Sequence, residues 1–235
     1  MLEQIKKEGC AIGLSGGLDS SRTLHWAIEN GLKPLCFTFD NGYNTPEADH
    51  NIKAMVKGLD HKIIKVRPNR YKKLQEAFIK AGLPNVEIPT DHILMAISLK
   101  FAKENGVKWI LSGGNTVSES IMPESWSYPA RDLTHIKDVY KKMTGENLDK
   151  LPLCSVWMWN DYKWNHGIET IYPLDYIDYN LEESRELLKE KYGWKDYGNK
   201  HEENIFTQWF QNFYLQKFGI DKRKAHLSSL IHAGS

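Results

Sequence analysis

Short apolar runs alternate with amphipathic stretches along the chain of 235 residues. In the amphipathic stretches apolar residues recur at helical spacing, as at Leu24, Ala27 and Ile28. The apolar runs predict strands at residues 10–15, 34–40, 62–68, 107–115 and 169–176. Strands that alternate with helices indicate a parallel sheet, because each parallel connection needs a crossover. We therefore expect an α/β fold, a doubly wound parallel five-stranded sheet.

Helix start signals support this order of elements. Thr45 precedes Pro46, which is a typical capping pair. Thr90 is predicted to cap a long helix closed by Gly106, and Asn180 to cap another. Further helices are predicted at 131–143, about 203–218 and about 221–232, whereas the tryptophan-rich segment 153–167 fits no single element. We divide the chain into a catalytic domain, 1–178, and a helical C-terminal extension packed on it, 179–235.

Composition narrows the class of protein. A formal net charge of +1 gives no basic surface for a large nucleic-acid partner. The three cysteines form no CxxC pair, so neither a zinc ribbon nor a redox dithiol is indicated. No apolar window is long enough to cross a membrane, and the first residues lack a signal-peptide pattern. The expectation is a cytoplasmic protein without a membrane partner.

The stretch GLSGGLDSSRT, residues 13–23, follows the first predicted strand and opens a helix. Glycines allow the backbone to approach a ligand, and the free N–H groups of a helix start attract anions. We expect a phosphate cradle at Ser15, Gly16, Gly17, Ser20 and Ser21. The pattern is not that of a Walker A loop, because the lysine is absent.

Asp19 lies inside this cradle and admits two interpretations. A carboxylate beside an anion site is understandable if it holds a Mg²⁺ ion that also binds phosphate oxygens. Alternatively, Asp19 only stabilises the first turn of the helix.

Other polar residues follow the ends of predicted strands, where ligands of such sheets bind. Asp40 and Asn41 lie at the end of the second predicted strand, and Gly113 and Gly114 lie at the end of the fourth; we expect these four to contact the nucleotide. A second set is expected to bind the substrate, although its first two members also suit a plain helix start: Asp91, His92, Asn115, Glu119 and Glu124.

The motif SGGLDSS after a strand resembles the PP-loop, SGGxDS, of the N-type ATP pyrophosphatases. The resemblance implies an adenine nucleotide alpha hydrolase-like fold that binds ATP and Mg²⁺, with Asp19 reaching the metal through the phosphates. It also implies cleavage of ATP between the α- and β-phosphates, with transfer of AMP to a carbonyl oxygen.

Four further segments are similar to the N-acetyl sugar amidotransferases of surface-polysaccharide biosynthesis, which act on lipopolysaccharide O-antigen or nonulosonic sugars. These segments are FTFDNGYNTPEADHNI, LSGGNTVSESIMPESW, YGNKHEENIFTQWFQ and KFGIDKRKAHLSSLI. The resemblance implies that the acetamido group of a nucleotide-linked or nonulosonic N-acetyl sugar becomes an acetamidino group. Ammonia would come from a glutaminase subunit with a cyclase-like partner. Members usually continue past a segment like LSSLI, so the sequence is either a short member or a piece of one.

Activation of an amide oxygen needs cations near the α-phosphate. The candidates are Lys200, Lys222, Arg223 and Lys224. We take Asp19, Lys200, His201 and Arg223 as the catalytic set, with His201 as a proton donor or acceptor. Two other readings stay open: a PP-loop tRNA-modifying enzyme, and a nucleotide-binding subunit without turnover. The oligomeric state is also open, with a homodimer as one possibility.

Overall fold

The structure, a computed structural model, describes residues 1–116, 118–119 and 127–233. Within these residues five parallel strands form one sheet in the order β3-β2-β1-β4-β5. The strands are β1 Cys10–Gly13, β2 Leu35–Asp40, β3 His61–Lys65, β4 Trp109–Leu111 and β5 Glu169–Ile171. The doubly wound α/β fold expected from the sequence is confirmed.

The strands are shorter than the apolar runs predicted, because the chain leaves the sheet to form turns. β1 ends at Gly13, where the glycine loop begins. Lys65 is the last residue of β3, and Pro68 already opens a helix. β5 ends at Ile171, since the next residues form a 3-10 turn over Pro173–Tyr176.

The helices lie on both faces of the sheet. They are α1 Leu2–Glu8, α2 Leu18–Glu29, α3 Pro46–Met55, α4 Pro68–Ala81, α5 Ile88–Glu104, α6 Leu133–Thr144, α7 Val156–Asn160, α8 Leu181–Tyr192, α9 Ile205–Phe218 and α10 Lys222–Ala233. The sequence pattern did not indicate α1. In the described part of the chain, no helix is long and apolar enough to cross a membrane.

The predicted caps hold in two cases and fail in one. Thr45 accepts a hydrogen bond from the Ala48 N–H, and Asn180 accepts from the first N–H groups of α8. Thr90 does not cap α5, because that helix starts two residues earlier with a proline in its first turn. Thr90 instead shares a hydrogen bond of 2.8 Å with the Tyr71 phenol.

The tryptophan-rich segment forms helix after all. Ser155 caps α7, and the chain then continues into a π-helical turn over Asp161–Asn165. Of its tryptophans, Trp157 and Trp164 are exposed, whereas Trp159 packs against the core.

Alternation along the strands divides the core into two layers. Cys10 and Ile12 face a layer shared with α1, α2, α3 and α8. Ala11 and Phe37 face the other layer, shared with α4, α5, α6 and α9. Both faces of the sheet are therefore covered, as expected for a parallel sheet.

The segment between α8 and α9 passes across the start of α2. Helix α8 packs on α2, and the Trp194 indole N–H donates to Ser21 Oγ at 3.2 Å. Further along, Asn204 pairs with Asn44 in an antiparallel bridge. This segment, residues 194–204, is called the crossing segment below, and it brings C-terminal residues to the glycine loop.

Candidate functional site

A cleft of about 530 Å³ opens where the strand order reverses, between β1 and β4. The carboxyl ends of these strands are where open α/β sheets bind ligands, and the volume suits a small molecule. Its polar lining consists mainly of Ser15, Asp19, Ser20, Asn41, Asn44, Glu87, Thr90, Asp91, Glu119, Arg131, Lys200, His201, Glu203, Asn204 and Thr207. Its apolar lining includes Phe39, Leu94, Met95, Leu99, Ile110, Trp159 and Tyr172.

The glycine loop presents free donors to this cleft. Helix α2 begins after Gly17, which provides no side-chain cap. Among the described residues, the N–H groups of Asp19 and Ser20 have no acceptor. The Leu18 N–H donates to the Tyr197 hydroxyl at 2.8 Å. Two free N–H groups at a helix start are suited to bind an anion.

Glycine is required at two points around the loop. Gly16 has φ of 81°, and a Cβ there would lie 2.4 Å from the Ala48 carbonyl oxygen. At Gly113 a Cβ would lie 2.8 Å from the Ser20 backbone nitrogen. The end of β4 therefore packs directly on the start of α2, which a side chain would prevent.

Asp19 is held by three side chains from distant parts of the sequence. Its Oδ2 accepts from Lys200 Nζ at 2.9 Å and from Ser118 Oγ at 3.1 Å, and its Oδ1 accepts from the Tyr179 hydroxyl. Lys200 also donates to Ser118 Oγ at 2.6 Å and to Glu119 at 3.3 Å. The two segments carrying Ser118 and Lys200 thus meet on the loop aspartate.

Burial and the negative charge of Asp19 raise the pKa of the Tyr179 phenol, so this group stays a hydrogen-bond donor. Lys200 and Asp19 are each about 20% exposed, so their ion pair is partly screened from water. A cation and a carboxylate are therefore both available at the mouth of the loop.

His201 follows Lys200 with a left-handed backbone, φ 68°. Burial, together with Lys200 and Lys222, holds the pKa of His201 well below its usual value. Its ring lies 5.4 Å from that of His226, whose pKa burial lowers to about 4. Both imidazoles are neutral at physiological pH, so His201 does not supply a positive charge.

Glu203 lies against the glycine loop at Gly17. A Cβ added at Gly17 would be 2.8 Å from Glu203 Oε1, while Glu203 Oε2 is buried without a partner among the described residues. Burial and nearby Asp19 raise the pKa of Glu203 to about 7. This carboxyl group can therefore gain or lose a proton near neutral pH.

A second acidic group lines the cleft at the start of α5. Glu87 accepts from Thr207 at 2.7 Å and from Lys222 at 3.4 Å. Enclosure by the cleft walls and repulsion from Glu87 raise the pKa of Asp91 to about 7. Carboxylates around this part of the cleft favour a ligand that carries a positive charge or hydroxyl groups here.

Most of the predicted site residues reach the cleft, although their roles there stay predictions. The cleft contains Ser15, Gly17, Asp19, Ser20, Asn41, Asp91, Gly113, Gly114, Glu119, Lys200 and His201. Gly16 shapes the loop without lining the cleft, and its carbonyl oxygen accepts from Asn51. Glu124 lies outside the described residues.

Three predicted ligand-binding residues have side chains engaged in the fold, and their ligand contacts stay predictions. Ser21 Oγ is buried against Trp194. His92 is fully buried, with one ring nitrogen bonded to the Ala130 carbonyl and the other to the Cys154 N–H.

Asn115 is also buried, and its amide bonds Gly113 and Ser118 backbone groups.

Two more predicted site residues lie outside the cleft, and their roles stay predictions. Asp40 caps its own turn through the Gly42 N–H and pairs with Lys65. Arg223 is exposed and forms an ion pair with Asp221 at 2.7 Å. Lys222 lies closer, through its contact with Glu87, whereas Lys224 is exposed on α10.

The sequence did not indicate five residues of the site: Arg131, Trp159, Tyr179, Tyr197 and Glu203. Tyr197 and Glu203 lie within the segment YGNKHEENIFTQWFQ but were not singled out there, and the other three belong to none of the quoted segments. All five are distant from the loop along the chain. The one available signal was that Tyr197 and Glu203 each lie three residues from Lys200.

The loop fits a phosphate group, since Asp19 and Ser20, whose N–H groups are free, line the cleft. Among the described residues no three histidine, cysteine or acidic side chains converge as a metal site. A Mg²⁺ ion would therefore have Asp19 as its protein ligand, with phosphate oxygens completing the shell. Carboxylate oxygen is a ligand that Mg²⁺ prefers.

No protein-family model matches the chain, and no curated protein is significantly similar to it. Among solved structures, a predicted subunit of tRNA methyltransferase from Methanocaldococcus jannaschii is 20% identical, with a TM-score of 0.42 over 77% of this chain and 76% of its own. NMN synthetase from Francisella tularensis is 14% identical, with a TM-score of 0.39 over 92% of each chain. At TM-scores below 0.5, neither likeness informs the function of this protein.

Proposed function

We propose that this protein is an ATP pyrophosphatase of the PP-loop type that activates the acetamido carbonyl of an N-acetyl sugar and exchanges its oxygen for nitrogen. The observation that carries the proposal is the contact of Asp19 with Lys200 and Ser118 at the mouth of a glycine loop with free N–H groups. This arrangement supplies an anion cradle, a metal ligand and a cation in one cleft.

The loop would hold the β- and γ-phosphates, which leave as pyrophosphate. The N–H groups of Asp19 and Ser20 and the hydroxyl of Ser15 would bind phosphate oxygens there. Asp19 would hold a Mg²⁺ ion, which would supply charge neutralisation. Lys200 is placed to stabilise charge that develops on the phosphates as the bond breaks.

An amide is a poor electrophile because its oxygen is a poor leaving group. Attack of the carbonyl oxygen on the α-phosphorus releases pyrophosphate and leaves the oxygen bonded to AMP. Ammonia then adds to the carbon, AMP departs with that oxygen, and an amidine remains. Ionised Glu203 is the nearby group able to accept the proton that ammonia loses, because the pKa of His201 is held well below its usual value.

The ammonia would be supplied by a partner glutaminase, with a cyclase-like subunit beside it. The cysteines support this assignment, because all three are buried and none lines the cleft. Burial raises the pKa of Cys10 and of Cys154 to about 11, and that of Cys36 to about 12. Thiols of this kind are not nucleophiles for glutamine hydrolysis, nor do they supply the reactive cysteine of a tRNA thiolase.

The test measures pyrophosphate release from Mg-ATP with ammonium and a panel of N-acetyl sugars, followed by mass spectrometry of each sugar. We expect AMP, pyrophosphate and a sugar in which one oxygen is replaced by NH. Inorganic phosphate as the product, or turnover that needs no sugar, would refute the proposal.

Two variants locate the chemistry in the loop. Asp19→Asn removes the metal ligand, and Lys200→Met removes the cation. Each is expected to slow pyrophosphate release by about 10²- to 10³-fold, the usual effect of losing one charge-stabilising group. The matched controls are Asp138→Asn and Lys142→Met, which break an exposed ion pair on α6 and should leave the rate unchanged.

A further inference from the structure

Arg131 and Trp159 line the same cleft as the loop, but they come from other parts of the fold. Arg131 lies just before α6, and Trp159 belongs to α7. The guanidinium carbon lies 4.7 Å from the centre of the indole ring, which is cation–π geometry. The proposed activation of ATP uses neither residue.

A buried histidine connects the two segments that carry this pair. His92 donates from Nδ1 to the Ala130 carbonyl oxygen at 2.7 Å and accepts at Nε2 from the Cys154 N–H at 3.1 Å. One contact adjoins Arg131, and the other lies next to the cap of α7. Burial lowers the pKa of His92, so the neutral ring that makes both bonds is retained. His92 therefore ties together the backbone segments that carry Arg131 and Trp159.

The pair offers hydrogen-bond donors without acceptors. In the described part of the protein Arg131 has no acidic partner, whereas Lys200, the other cation that lines the cleft, is paired with Asp19 and Glu119. The Trp159 indole N–H is buried and has no acceptor among the described residues. A cation beside an unpaired donor fits an anionic ligand group.

We propose that Arg131 and Trp159 bind the anionic group of the acceptor sugar, either the phosphate of a nucleotide-linked sugar or the carboxylate of a nonulosonic sugar. This inference rests on the proposed function and adds a charge requirement to its substrate. The carboxylates Glu87, Asp91 and Glu119 repel an anion elsewhere in the cleft and so direct it to Arg131.

The test is calorimetric titration of the full chain, with Mg²⁺ and a non-cleavable ATP analogue present. The ligands are UDP-N-acetylglucosamine, N-acetylneuraminate and uncharged N-acetylglucosamine. We expect one charged sugar to bind about 10- to 100-fold more tightly than the uncharged one, the range of a charged hydrogen bond. Whichever charged sugar binds identifies phosphate or carboxylate as the recognised group.

Two variants remove the donors, and each has a control of the same residue type. Arg131→Gln should lower the affinity for the charged sugar by about 10- to 100-fold. Trp159→Phe should lower it by a smaller factor, because an aromatic ring remains. The controls are Arg67→Gln and Trp157→Phe, both exposed and outside the cleft. Affinity for the ATP analogue should stay the same in all four.

Equal binding of charged and uncharged sugars, or unchanged binding in Arg131→Gln, would overturn the inference. It would also be overturned if Arg131→Gln weakened binding of the ATP analogue as much as binding of the sugar, because the pair would then bind the nucleotide. A failure of the proposed function gives a different result: the charged sugar binds in a way that depends on Arg131, but no sugar causes release of pyrophosphate from Mg-ATP.

Discussion

Two adjacent glycines after β4 provide a sharp test of how the loop is built. Neither Gly113 nor Gly114 has a positive φ, so an added methyl group acts through space alone. At Gly113 the Cβ would lie 2.8 Å from the Ser20 nitrogen and 3.0 Å from the Asp19 carbonyl carbon, both backbone atoms. At Gly114 it would lie 3.2 Å from the Tyr172 ring, a half-exposed side chain that can rotate away.

The magnitudes follow from these contacts. Overpacking against fixed atoms lowers the free energy of unfolding by about 1–3 kcal/mol. A glycine-to-alanine change raises it by about 0.4–1 kcal/mol, because the unfolded chain becomes less flexible. Gly113→Ala should therefore be destabilised by about 1–2 kcal/mol, which is a lower Tm by about 2–8 °C in a chain of this size. Gly114→Ala should be neutral or slightly stabilised.

In Gly113→Ala the added methyl group would push the start of α2 away and so displace the free N–H groups of Asp19 and Ser20. Mg-ATP affinity of Gly113→Ala should fall by about 10-fold or more, since hydrogen bonds to a charged group are lost. Urea unfolding gives the stability and calorimetry gives the affinity. Equal stability and equal affinity in the two variants would show that β4 does not support the loop.

Two further predictions concern buried titratable groups. The pKa of Glu203 is raised from 4.5 to about 7, so the folded state keeps a proton that the unfolded state loses, and stability falls as pH rises between these values. Glu203→Gln should abolish about 1–3 kcal/mol of that fall, measured by urea unfolding from pH 4.5 to 8; identical pH profiles would contradict this. His92→Leu leaves the Ala130 carbonyl and the Cys154 N–H unpaired, and should lower the free energy of unfolding by about 2–4 kcal/mol. Exposed His232→Leu is the control, and a loss no larger than in that control would contradict the role of His92.

The strand predictions located each strand but not its end. At β3 the apolar run suggested a strand to Pro68, yet pairing stops at Lys65, because a strand ends where its neighbour no longer offers hydrogen bonds. The Thr90 cap failed for a local reason, since proline in the first turn of α5 allows the helix to start earlier.

The site was predicted where chemistry is local and missed where it is not. Ser15, Asp19 and Ser20 line the cleft as expected, because a strand, glycines and a helix start are adjacent in sequence. Arg223 lies outside the cleft, paired with Asp221 two residues away, and nothing in the sequence pattern reveals where that pair points.

The sequence by itself determined the five strands, most of the helices between them and the glycine loop, because these depend on residues within a few positions of one another. Only the tertiary structure decided which side chains complete the loop. Tyr179 reaches Asp19 across 160 positions, and Tyr197 reaches Leu18 across 179. Such contacts depend on where α8 packs and where the crossing segment passes, and that position follows from the packing of the whole core rather than from any local pattern.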